Sequence, residues 1–140
     1  MFNESGYDRL VAWKQFRDSL ETSERPFEDV AEFWANAPFV SPYLNPFNHK
    51  EWPDPWHLVI DSRLDDLAIT LGMLYTLQLT QRFKGLKFEI HTSTFFKENQ
   101  PSYFLVVNDE KVLNLEYRAV LDVKNLENVN SIILWSTEKL

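Results

Sequence analysis

The run from Leu64 to Leu79 constrains this chain more than any other part of it. From Ile69 to Leu79 it is apolar on every side of a helix, interrupted by little more than Thr70, Thr76 and Gln78. A helix that is hydrophobic all round has no face to offer water, so it belongs at the centre of a small fold. The run is too short and too broken to cross a bilayer. Ser62-x-x-Asp65 reads as a capping box, with Asp65 and Asp66 favourable in a first turn. The expected helix therefore runs from Ser62 to about Arg82, closed by Lys84-Gly85. Gly72 in its interior costs about 1 kcal/mol relative to Ala, which predicts a close backbone or aromatic contact there.

Other segments supply the cover. Leu10, Trp13, Phe16, Arg17 and Leu20 recur at helical spacing, with Asp8, Lys14 and Asp18 outside the stripe. Pro26 suits a first helical turn, and Phe27, Val30, Ala31, Phe33 and Trp34 continue a second helix that Pro38 ends. After Gly85 the period changes to two. Phe88, Ile90, Thr92 and Thr94 alternate with Lys87, Glu89, His91 and Ser93, the pattern of a half-buried strand. Residues 103–107 form a second strand, Asn108–Lys111 a hairpin loop, 112–123 a long or broken strand, and 132–135 another. The fold class is α+β: N-terminal helices and one buried helix on an antiparallel meander of four to five strands. One hundred and forty residues suit a single domain. Its expected parts are helices over 1–37, an arm over 38–61, the central helix over 62–82 and the sheet over 86–136.

The arm carries Pro38, Pro42, Pro46, Pro53 and Pro55, with Phe39, Tyr43, Phe47, Trp52 and Trp56 between them. That proline density is expected to leave no regular element. Five aromatics argue against a disordered linker, so the arm is expected to lie ordered on the domain. Trp56 is expected to pack inward against the start of the central helix. Phe39, Tyr43, Phe47 and Trp52 are the expected partner-binding residues, since rigid aromatics anchor interfaces.

Charge limits the partners. Twenty-one acidic and 14 basic residues give a net charge of −7, which opposes binding to a phosphate backbone. The basic groups Lys84 with Lys87, and Arg9 with Lys14 and Arg17, are small and interrupted by acids, so no nucleic acid is expected. The chain has no cysteine, which excludes disulfides, thiolate metal sites and a cysteine nucleophile. The N-terminal residues show no signal pattern, and a cytoplasmic location is expected, with no membrane contact.

The residues Pro55-Trp56-His57-Leu58, then Asp61, then Leu64-Asp65-Asp66-Leu67-Ala68 resemble the core of transglutaminase-like, papain-like α+β proteins. That pattern has a Trp and a Leu ahead of a glycine, then a Cys opening the core helix, then Asp-Leu-Ala and apolar residues. Asp66-Leu67-Ala68 matches the last triplet, and the nucleophile position falls on Leu64. The resemblance spans about residues 52–120. It implies antiparallel strands after the helix, one carrying a His and the next an Asp. Those positions fall near Ser102–Phe104 and on Asn114, and none of the three residue types is kept. The resemblance thus implies a catalytically dead member, with no catalytic residue.

Three other clusters bear on chemistry. His91 beside Glu89 is a candidate hydrolytic pair. His91-Thr92-Ser93 touches the pattern of two-histidine phosphoesterases, whose second copy His57-Leu58-Val59 fails to supply. Asp61, Asp65 and Asp66 are candidates for acid–base work or a hard cation, and helix capping explains them equally. Only Gly6, Gly72 and Gly85 are available, so no phosphate-cradling loop exists. The expected function is a non-enzymatic interaction or assembly protein with a protein partner and neither cofactor nor metal. The alternatives are a small hydrolase using His91/Glu89 or an Asp61/Asp65/Asp66 metal site, and an acidic host-directed inhibitor. The compact, acidic, Trp- and Pro-rich character also resembles structural or accessory proteins of tailed bacteriophages.

Overall fold

The computed structural model describes residues 1–97, 100–126 and 129–137, and for 94–97 and 100 the backbone alone. The side chain of Thr94, part of the alternation above, lies outside the described residues. Helices α1 (Gly6–Leu20), α2 (Pro26–Ala35), α3 (Pro55–Asp61) and α4 (Asp66–Gln78) precede strands β1 (Phe88–Lys97), β2 (Gln100–Val107), β3 (Lys111–Leu113), β4 (Val120–Asp122) and β5 (Ser131–Ser136). The fold is α+β.

Helix α4 is the buried centre: ten of its thirteen residues are buried, on every face. Leu67, Leu71, Met73 and Leu74 are inside, as expected. Its start is not at Ser62. Asp65 is the N-cap, its carboxylate accepting the Ala68 N–H at 2.7 Å. Ser62 instead closes α3 in a left-handed conformation at φ 50°. One expected helix is therefore two, because Asp54 and Pro55 start a helix early. The Asp54 carboxylate caps the His57 N–H at 2.9 Å, and Pro55 stands where its missing N–H costs nothing. The arm accordingly contains regular structure, α3 and a 3₁₀ turn at His49–Glu51. α4 also stops earlier than Arg82, at Gln78. A 3₁₀ turn at Gln81–Phe83 follows, and the Glu21 carboxylate accepts the N–H groups of Gln81 and Arg82 at 2.9 Å each.

The other helices close over α4 through one hydroxyl. Thr76 Oγ1 accepts the indole N–H of Trp13 from α1 and of Trp34 from α2, each at 3.0 Å. It donates to the Gly72 carbonyl at 2.6 Å. Gly72 makes the approach feasible: a Cβ there would sit 2.4 Å from the Trp34 ring. The aromatic contact expected at this glycine is present. Arg9 joins α1 to the end of α3 through the carbonyls of Val59 (2.9 Å) and Ile60.

The strands are antiparallel in the order β4-β3-β2-β1-β5. β1 to β4 form the expected meander. Asn108 and Asp109 turn the β2–β3 hairpin with φ of 53° and 57°, a left-handed pair these residue types tolerate. β5 leaves the meander and returns beside β1. On the way, Val123–Leu126 and Val129 lie on the sheet face opposite the helices. There Leu121, Val123, Leu126 and Val129 pack on Phe104, Val106, Val112 and Leu115 as a second small core. The polar side of β1 is not a solvent face either: Glu89 and Ser93 on it are buried.

The shared hydroxyl predicts that Thr76→Val, nearly isosteric, strands two buried indole N–H groups. Each orphaned donor should cost about 1–3 kcal/mol in a urea titration, whereas Thr76→Ser should lose much less. Equal midpoints for the two variants would refute the shared acceptor.

Candidate functional site

The first turn of α4 is where arm, helix and sheet meet. Leu64, just before it, is only 1% exposed. Its backbone forms a parallel bridge with Phe39, and its carbonyl accepts the Val40 N–H at 3.0 Å. Asp65 is buried, and besides capping α4 it accepts the N–H groups of Tyr43 (2.9 Å) and Leu44 (3.1 Å). Asp65 thus pins the arm to the helix. Asp66 turns the other way: it accepts the Tyr103 N–H at 3.1 Å and the Asn114 side-chain amide at 3.2 Å. The same amide donates to Thr70 Oγ1 at 2.9 Å and to the Tyr103 carbonyl at 3.1 Å.

The three positions implied by the resemblance therefore converge on one turn, with one refinement. Within Ser102–Phe104, the residue packed on the helix side is Tyr103. Ser102 and Phe104 face the second core, and the buried Ser102 hydroxyl has no partner among the described residues. Burial, then the nearby Asp65 and Asp66 carboxylates, pushes the Tyr103 phenol up, so it stays neutral at ordinary pH. Beside this turn lies a cavity of about 570 Å³ whose walls include Trp34, Phe39, Asp66, Ile69, Asn114 and Tyr117.

The remaining candidates do not gather here. Asp61 is exposed at the end of α3. His57, on the same helix, pairs with Asp54 at 2.6 Å. His91 lies on the opposite side of the sheet. Its Nδ1 is 2.9 Å from Ser131 Oγ, its Nε2 3.5 Å from Glu89 Oε1, and its ring stacks on Phe104 at 5.1 Å. Among the described residues no group of three or more His, Asp or Glu side chains is arranged to hold a metal ion. The basic side chains of α1 are engaged within the fold: Arg9 as above, Lys14 with Asp18 at 3.1 Å, and Arg17 over the Trp13 ring at 4.4 Å.

The arm is ordered, and its aromatics divide differently from expectation. Trp56 is 46% exposed, meeting Trp13 edge-on at 5.8 Å. Trp52 packs on the main core and donates its indole N–H to the Asn45 carbonyl at 2.9 Å. The reversal follows from α3: a helix beginning at Pro55 spends its inward positions on Leu58 and Val59, leaving Trp56 on the rim. Tyr43 is half-buried, with Arg63 stacked over its ring at 4.0 Å. Phe39 (56%) and Phe47 (74%) are the exposed pair. Sequence reasoning missed Thr70 and the role of Tyr103. The parity of Leu105 and Val107, both apolar and helix-facing, was the available signal for Tyr103.

No family model matches this chain, and no curated protein matches its sequence. Solved structures do match its fold. Calcium-bound LapG of Legionella pneumophila superposes with a TM-score of 0.71 at 17% identity, over 96% of this chain and 77% of LapG. A second LapG structure gives 0.66 at 18% identity over 94% and 75%. The EGTA-treated form gives 0.64 at 19% over 89% and 70%. This chain has a transglutaminase-like fold. Helix α4 and the antiparallel strands after it are the parts the sequence resemblance had implied.

The histidines should titrate in opposite directions. Hydrogen bonding to Asp54 and its charge raise His57 above the ordinary 6.5, whereas burial, only partly offset by Glu89, lowers His91 below it. A lowered folded-state value means that His91 favours the fold fully above pH 6.5, and that this contribution fades as pH falls through the lowered value. Imidazole NMR signals followed against pH should show His57 protonating first on acidification. The reverse order would contradict both environments.

Proposed function

We propose that this chain is a non-enzymatic interaction or assembly protein on a transglutaminase-like scaffold whose catalytic positions have passed to structural use. The observation that carries the reading is Leu64. At the position the resemblance gives to the nucleophile stands a buried aliphatic side chain with no lone pair, in a chain without cysteine. Its two companions are likewise committed to the frame. Tyr103 offers backbone groups to Asp66, Thr70 and Asn114, and Asn114 ties strand β3 to α4. What survives of such a site is its shape. The cavity beside α4 has Phe39 and Tyr117 exposed among its walls, and Phe47 stands out from the same arm. Exposed rigid aromatics around a concave surface suit a protein partner. A structural or accessory role in a virion, implied by the resemblance to tailed-bacteriophage proteins, belongs to the same reading.

Leu64→Cys should not create peptide- or ester-hydrolysing activity, because the histidine and aspartate are also absent. Hydrolysis by the unaltered chain, lost in His91→Ala, would sink the proposal. It would favour the second reading, for which the Ser131–His91–Glu89 chain of contacts is the supporting observation.

The arm supplies a separate test. Phe39→Ala and Phe47→Ala remove exposed rings and should change stability by no more than about 0.5 kcal/mol. Pull-downs from the native cell should nevertheless recover less partner with either variant. Undiminished capture by the double variant would remove the arm from the interface.

A further inference from the structure

The two edges of the sheet are built differently. β4 is three residues long, and its Asp122 is paired with Lys111 at 2.7 Å and Lys124 at 3.9 Å. Short length and charge are the usual protections of an edge against further pairing. β5 has neither. It runs six residues as Ser-Ile-Ile-Leu-Trp-Ser, within an uncharged stretch from Val129 to Thr137. β1 is its strand partner, and among the described residues no strand lies on its other side. Consecutive Ile132 and Ile133 are 56% and 40% exposed. They lie on opposite faces, since Ile132 pairs with Thr92 and Ile133 with His91.

We infer that this edge is a self-association surface: a second copy of the chain pairs its own β5 antiparallel to the first, joining two five-stranded sheets across a two-fold axis. The strand is self-complementary. Its register against β1 shifts between Ile90, opposite Trp135, and His91, opposite Ile133, which makes Leu134 an extra residue. Ile132 and Trp135, three apart, therefore share the helix-side face of Thr92 and Ile90. Ser131 and Ser136 share the other face, opposite Ser93 and Glu89. An antiparallel pair places facing residues on one side of the sheet. With the axis at Ile133 and the extra Leu134 left out of the pairing in each copy, Ser131 of one copy faces Ser136 of the other, Ile132 faces Trp135, and Ile133 faces its own counterpart. All three matches keep their faces, and the first two occur twice, as a two-fold interface demands. The Ile–Trp match is of the β-branched–aromatic type that stabilises strand pairs. Charge selects the same place, because two chains of net charge −7 meet with least repulsion along an uncharged strand.

Sedimentation of the full chain across a wide concentration range tests this. The weight-average mass should climb from 16.6 kDa toward twice that value. It should climb further at higher salt, which screens the repulsion. Ile132→Lys and Ile133→Lys should abolish the rise with an unchanged circular dichroism spectrum. Since the chain has no cysteine, Ile133→Cys gives an independent readout. It should form a disulfide-linked dimer under mild oxidation, whereas Gln15→Cys on the exposed side of α1 should not. A chain that stays monomeric at every concentration and salt overturns the inference. So does a dimer indifferent to both lysine variants, or equal cross-linking from Gln15→Cys. A monomer whose β5 edge instead captures an extended segment of another protein overturns self-pairing as well.

Discussion

Helix α4 has no face to give to water, and the rest of the molecule is arranged to satisfy that. Burying a helix on all sides leaves the polar groups on and around it needing partners inside the protein, since an unpaired buried group costs about 1–3 kcal/mol. Thr76 meets this demand along the shaft, taking one indole N–H from α1 and one from α2 on a single oxygen. Asp65 and Asp66 meet it at the N-terminus, the first by binding backbone N–H groups of the arm and the second by binding β2 and Asn114. Removing any of these would leave a buried donor or carboxylate without its partner.

The same constraint shapes the functional reading. In the transglutaminase-like pattern a reactive group sits where the core helix begins, at the junction of helix and strands. Here that junction holds Leu64, Tyr103 and Asn114. A buried leucine, a neutral phenol and a side-chain amide tied to three acceptors stiffen the junction. The space beside them, walled by Trp34, Phe39 and Tyr117, persists because those aromatics are placed by α2, by the arm and by the segment after β3, none of which depends on catalysis.

The long path from β4 to β5 has its own consequence. On the face opposite the helices, Leu121, Val123, Leu126 and Val129 cover Phe104 and Val106 and give the sheet cores on both sides. The uncharged β5 stands at the far edge, so among the described residues one edge of the sheet is guarded and the other is unpaired.

Much of this was legible in the chain of residues. An eleven-residue apolar run demands burial whatever surrounds it, so the central helix and the α+β class follow from local pattern. The Gly72 contact was readable because a glycine inside a helix needs a reason. Tertiary structure alone decided the rest. Ser62 looks like a helix start, yet Asp54 and Pro55 begin a helix earlier and make it a helix end. Trp52 and Trp56 are indistinguishable as letters; α3 turned Trp56 to the rim and left Trp52 packed on the core. Glu89 and Ser93 alternate as solvent residues, yet both are buried, Ser93 donating to the carbonyl of the distant Asn130. Period and composition report what one segment prefers for itself. Which neighbour covers it is settled by partners far along the chain, through a competition among contacts that no local pattern records.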